Sequence, residues 1–240
     1  MNCDTLSASN RPESALASAF RQTLPIILGY VPVGFAYGVL AQKSGLSGIN
    51  TLLMSVLVYA GSAQLIAVGL FAAGAAPLAI VATTFVVNLR HLLMSAALAP
   101  YLRGWGKTRL ALFSYQMTDE TFALHANRFA KSQTGPAETF GINLIAQSAW
   151  VGSTALGLAA STLITDIRPI GLDYALPAMF IALLLGQLKS RLHLAVALVA
   201  GVLSTALMLA GLDQSHVLAA TILAATFGLG VHAWISKRSS

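Results

Sequence analysis

The chain is 240 residues long, 56% apolar and only 9% charged, whereas a soluble domain carries about 25% charged residues. So few charges cannot cover a water-exposed surface, so lipid must solvate much of the chain. Its length allows six to eight spans of about 20 apolar residues each. The net charge of +6 does not point to nucleic acid: no basic patch with interleaved aromatics occurs, and Lys and Arg sit in short segments between apolar runs, where they set membrane topology.

Residues 1–20 read as a disordered polar tail without the order of a secretory signal. The single cysteine, Cys3, lies there, so neither a disulfide framework nor a cysteine-based metal site can form. Charges then bound the apolar runs, with 21 uncharged residues between Arg21 and Lys43 and 46 between Lys43 and Arg90. The predicted spans are 22–42, 49–71, 76–102, 139–162, 172–188, 192–211 and 215–235. This is an all-α polytopic membrane protein with about seven transmembrane helices in one domain, 21–235.

Span 22–42 holds Pro25 and Pro32, which should bend it. Its Gly34 and Gly38 form a GxxxG pair suited to close helix packing. Span 49–71 carries Ser55, Tyr59 and Ser62 on one face, with a break at Gly61 followed by Gln64. A broken helix at bilayer depth offers free amides and carbonyls to the ends of a small solute, so Tyr59, Gly61, Ser62 and Gln64 are candidate substrate contacts.

Span 76–102 contains TTFVVNLRHLLMSAAL, in which Thr84, Asn88, His91 and Ser95 share one face. Lipid offers such a stripe no hydrogen bonds, so it must face a cleft or a partner. Arg90, about 100° round the helix from His91, costs about 2.5–3.5 kcal/mol to insert unless paired. Arg90 and Asn88 are candidates for meeting a substrate carboxylate, with an internal ion pair as the plainer role of Arg90. His91 is a candidate proton carrier.

Residues 103–138 are mixed in character and predict an amphipathic helix at about 108–130, on the membrane or tucked against the bundle, with a short further span as the alternative. Its acids are Asp119 and Glu120. On one continuous helix Glu120 flanks the apolar stripe and is the better partner for Arg90 or His91, while Asp119 points away.

Residues 29–65 align with 152–188 without a gap, at an offset of 123, with eight identities, Gln64 matching Gln187 among them. This suggests repeat one at about 22–102 and repeat two at about 139–211, with an extra helix at 215–235. Three spans per repeat would invert the halves and place a site where they meet, adding Gln187 to the candidates. Counting Lys and Arg with an external N-terminus gives ten inside and three outside. If 76–102 re-enters instead, the N-terminus is inside and the count is eleven to two. Both put the C-terminus in the cytoplasm. No HExxH, Cys pair or GxSxG supports an enzyme, and no metal or cofactor site is expected.

Taken in order, GYVPVGFAYGVLA, VYAGSAQ, NLRHLLMSAAL, TDETFAL and GLDYALPAMFIALL resemble the AzlC family, the large subunit of branched-chain amino-acid exporters of the AzlCD and BrnFE type. The resemblance runs from about residue 20 to 235. It implies a bacterial inner-membrane permease that exports leucine, isoleucine, valine and methionine under a proton gradient. It also implies a small hydrophobic AzlD-type partner subunit. A non-transporting membrane scaffold, or an exporter of another small metabolite, is the alternative.

Overall fold

A computed structural model describes residues 14–133, 135–164, 166, 169, 171, 174, 177–178, 181, 184–185, 188, 190–211 and 216–238. The described residues are helical, as expected for an all-α membrane protein, and fall into two compact units, Met1–Pro177 and Ala178–Ser240.

In the first unit α1 runs from Ala15 to Lys43 through both prolines as one element. It begins inside the stretch expected to be tail, because the Ser14 hydroxyl accepts a hydrogen bond from the Ala17 amide at 3.2 Å and caps it. It ends where Gly45 takes φ +89° and the Leu46 amide reaches back to the Ala41 carbonyl at 3.0 Å.

Next come α2 (Gly48–Leu53), a π-helical turn (Met54–Val58) and α3 (Gly61–Ala72). The expected span 49–71 is thus not one helix but two, each shorter than a membrane span. Tyr59 takes the left-handed conformation (φ 45°, ψ 46°) and reverses the chain. As a result Phe71, at the end of α3, lies against Gly45, just before α2. The Gln64 amide reaches the Ser55 hydroxyl at 3.1 Å across the reversal.

Helix α4 (Pro77–Leu98, extended by a 3-10 turn to Leu102) is a candidate membrane span by length and composition, like α1. After it, where one amphipathic helix was expected, two form: α5 (Lys107–Tyr115) and α6 (Asp119–Ala130). They fold back on one another, since the Phe113 ring lies 5.3 Å from His125 and 6.0 Å from Phe129. Phe113 and Phe129 join Met94, Leu98, Leu102 and Met117 in a buried cluster that seats this hairpin on α4.

Helix α7 (Pro136–Ala160) packs along the length of α1. A Cβ on Gly34 would lie 2.1 Å from the Ser153 hydroxyl, one on Gly38 2.4 Å from the Thr154 carbonyl, and one on Gly157 2.1 Å from the Phe35 carbonyl. The GxxxG pair is therefore a packing surface, and only glycine allows so close an approach. Contacts rise together along both helices, from Ser18 with Glu138 to Gly38 with Gly157. Helices α1 and α7 thus run in the same direction. That overturns the inverted relation expected of the candidate repeat: with 48–72 folding back as a hairpin, the segments between α1 and α7 return the chain to its starting side.

The second unit contains α8 (Arg191–Leu209) and α9 (His216–Arg238), which pack together where Gly228 meets Val196. Span 192–211 corresponds to α8 and span 215–235 to α9. Most of span 172–188, Gln187 included, lies outside the described residues.

Candidate functional site

The first unit contains two helical hairpins that enter from opposite ends. Hairpin 1 (α2–α3, 48–72) has its base near the C-terminal end of α1, where Gly45 meets Phe71. Hairpin 2 (α5–α6, 107–130) has its base near the N-terminal end of α7, where Trp105 stacks on Phe140 at 5.5 Å and Arg128 pairs with Glu138. Helices α3 and α6 have 12 residues each, about 18 Å, little more than half of a bilayer core of about 30 Å.

The two tips meet. The Tyr115 hydroxyl, at the end of α5, donates to the Val56 carbonyl in the π turn, and Gln147 of α7 donates to the same carbonyl at 3.2 Å. Gln116 donates to the Gln147 side-chain carbonyl at 3.0 Å. The N-termini of α3 and α6 therefore both lie at the middle of the unit, each with the positive end of a helix dipole, and that of α3 has no side-chain cap.

Arg90 of α4 joins them. It pairs with Asp119, the first residue of α6, at 2.9 Å, and donates to the Ser62 hydroxyl in the first turn of α3. Its Nε is buried without a hydrogen-bond partner among the described residues. Glu120 lies elsewhere, accepting from the Tyr30 hydroxyl of α1 at 2.9 Å. The expected roles of the two acids are thus exchanged. The reversal at 116–118 starts a new helix, so the face computed for one continuous helix no longer applies.

The remaining candidates divide. Tyr59 is buried at the tip of hairpin 1, near Tyr30 and Glu120. Gly61 opens α3 against Trp150, where a Cβ would lie 2.7 Å from ring atom Cη2. Gln64 is fully buried, its amide nitrogen bound to Ser55 and its oxygen accepting from the Trp150 indole at 3.1 Å. Asn88 Oδ1 and His91 Nε2 are buried on α4 with no partner among the described residues. Thr84 of the same stripe bonds to the Ile80 carbonyl of its own helix at 2.8 Å.

Sequence reasoning missed Tyr30, Tyr115, Gln116, Thr118, Gln147 and Trp150. Trp150 is the hub: its ring lies edge-on to Tyr30 at 5.3 Å and stacks on Tyr37 at 6.2 Å. The Gly61 break was its one sequence signal, since a ring of this size needs a facing glycine.

The family model described as AzlC protein matches residues 25–164. The chain belongs to the AzlC family. It is 36% identical to an uncharacterized membrane protein of Archaeoglobus fulgidus over 83% of this chain and 88% of that one. It is 30% identical to the branched-chain amino acid transport protein AzlC of Bacillus subtilis, over 84% of this chain and 79% of that one. With the inner membrane protein YgaZ of Escherichia coli it shares 29% identity over 73% of this chain and 74% of the other. No solved structure matches it. The family makes this a membrane protein related to branched-chain amino-acid transport.

Proposed function

We propose that the chain is the large subunit of a two-component exporter that moves leucine, isoleucine, valine and methionine out across the bacterial inner membrane. An AzlD-type small hydrophobic subunit is its partner. The observation that carries this reading is the convergence of two half-depth helix N-termini on Arg90. Discontinuous helices of this kind bind small charged solutes at mid-membrane.

The substrate carboxylate binds Arg90 and the first amides of α3, whose N-terminus has no side-chain cap. Ser62 lies in the first turn at that end, and Tyr59 just before it offers its hydroxyl. The substrate ammonium meets Glu120, which makes no ion pair among the described residues and accepts from the Tyr30 hydroxyl. A proton neutralises the same carboxylate equally well. Competition between ammonium and proton for Glu120 then exchanges one amino acid for one proton, with His91 of α4 a second titratable group.

Arg21, Arg103, Lys107, Arg109, Arg128 and Lys131 cluster at the end where hairpin 2 enters, against Lys43 at the other. This favours a cytoplasmic N-terminus. The same rule, applied to Lys237 and Arg238, favours a cytoplasmic C-terminus.

The test is uptake of labelled leucine into inverted vesicles from a deletion strain, with the chain and its small neighbour restored together or singly. Uptake that needs this chain, stops when the pH gradient is collapsed and fails with Arg90→Gln is expected. Uptake indifferent to the deletion would overturn the reading.

A further inference from the structure

Arg90 already holds a carboxylate, that of Asp119, and what this does to a substrate is the question. Three features bear on it. The pair spans the two hairpins, since Asp119 is the first residue of α6 and the Ser62 hydroxyl on the other side of Arg90 belongs to α3. Arg90 binds Asp119 through one terminal nitrogen and Ser62 through the other, so each of these neighbours holds a single donor. A carboxylate facing the two terminal nitrogens end-on engages both donors at once, and such bidentate pairs are the stronger ones. Finally, Asp119 has somewhere else to go: it stands in the first turn of a 12-residue helix, where negative charge is stabilised.

We infer that Asp119 is a resident stand-in for the substrate's carboxylate. In the empty protein it neutralises Arg90 and ties the two hairpin tips together. An arriving amino acid displaces it, taking Arg90 with two donors, and Asp119 falls back on the N-terminus of its own helix. Binding thereby removes the ion pair that joins hairpin 2 to α4, while the Tyr115–Val56 hydrogen bond still joins the two tips, so occupancy frees the start of α6 from Arg90. When substrate leaves, Asp119 returns and expels it from Arg90. This inference rests on the transport reading and names the competitor within the same site.

Asp119 is thus a positioning residue with an unusual signature: its loss should improve binding. A purely structural ion pair would do the opposite. The experiment uses the purified full chain in detergent, with labelled leucine binding measured for wild type, Asp119→Asn and Asp119→Ser. Two competitors isolate the ends of the substrate: 4-methylpentanoate keeps the carboxylate and lacks the ammonium, and 3-methylbutylamine keeps the ammonium alone.

Both variants should bind leucine at least fivefold more tightly. 4-Methylpentanoate should gain by the same factor, while 3-methylbutylamine should not change. In vesicles KM should fall and the maximal rate should fall with it, because substrate release has lost its competitor. Unchanged or weaker binding by either folded variant would overturn the inference. If neither variant folds, wild type decides: competition by 4-methylpentanoate supports the inference, and its failure to compete overturns it. Wild type that binds no leucine would defeat the transport reading itself, whereas altered Asp119 variants that bind like wild type would defeat only the exchange at Arg90.

Discussion

The two hairpins solve the same geometric problem with opposite chemistry. Each sends a short helix to mid-depth, turns, and starts a second helix there. Hairpin 2 closes its new N-terminus with its own residues: the Thr118 hydroxyl accepts from the Thr121 amide at 3.3 Å and the Thr121 hydroxyl accepts from the Thr118 amide at 2.8 Å. Asp119 and Glu120 add negative charge in that first turn. Hairpin 1 has no cap at Ala60 and no acid in the first turn of α3, and its tip is held by a left-handed Tyr59. Such a conformation costs on the order of 1–3 kcal/mol in a non-glycine residue and persists only where the surroundings impose it. One tip is therefore filled and acidic and the other open and electropositive, a complementary pair for a zwitterion.

Arg90 is the residue on which this contrast turns, and its removal should have the largest effect. Arg90→Gln leaves Asp119 and the first turn of α3 without their shared partner. The substrate carboxylate also loses the cation it binds, so transport should fall by roughly two orders of magnitude, measured as vesicle uptake at equal protein level. Arg90→Lys should rescue poorly, because an ammonium cannot engage two acceptors in one plane.

The next effect concerns the base of hairpin 2. Glu138 accepts from the Ser18 hydroxyl at 2.6 Å and from Gln22 at 2.6 Å, and pairs with buried Arg128. The Ser18 hydrogen bond, then the Arg128 charge, hold its carboxyl below the usual range. A depressed carboxyl contributes stability that is complete above the ordinary carboxylate pKa and is lost as pH falls through the depressed value. Thermal stability of the purified chain should therefore drop on acidification below the ordinary carboxylate range. Glu138→Gln should flatten that limb and cost about 1.5–3 kcal/mol near neutral pH. Hairpin 1 has no such lock among the described residues, so leucine binding should survive this variant better than stability does.

Why hairpin 1 was legible and hairpin 2 was not follows from their turns. VYAGSAQ carries a glycine at the break and polar residues around it, so Gly61 and its neighbours stood out. Whether the chain crossed or returned did not, because an apolar run of 46 residues reads alike either way. The turn of hairpin 2, Gln116, Met117 and Thr118, has neither Gly nor Pro, and a stripe drawn across it put Glu120 where Asp119 belongs. Tyr30 and Trp150 showed nothing locally: their roles arise only when α1 and α7 come together. Gly61→Ala tests that convergence from the other side. Its Cβ would meet the Trp150 ring, an overpacking cost of about 1–3 kcal/mol, and Trp150→Phe should relieve it in the double variant's thermal midpoint.

The smallest effect is the most discriminating, because it exchanges the chemistry of the tips. Thr118→Ala removes the cap of α6 and should lower stability by about 0.5–2 kcal/mol while leaving leucine affinity nearly intact, since the amides it exposes lie beside Asp119 and Glu120, whose charge repels a carboxylate. Ala60→Ser does the reverse. Ala60 holds the N-cap position of α3, and a hydroxyl there can take an amide that the open tip otherwise keeps for a substrate. Stability should stay level or rise by up to about 1 kcal/mol, yet leucine binding should weaken severalfold. If Ala60→Ser leaves leucine binding unchanged in a folded chain, the open helix end is not where the carboxylate sits. The contrast between the tips would then concern folding alone.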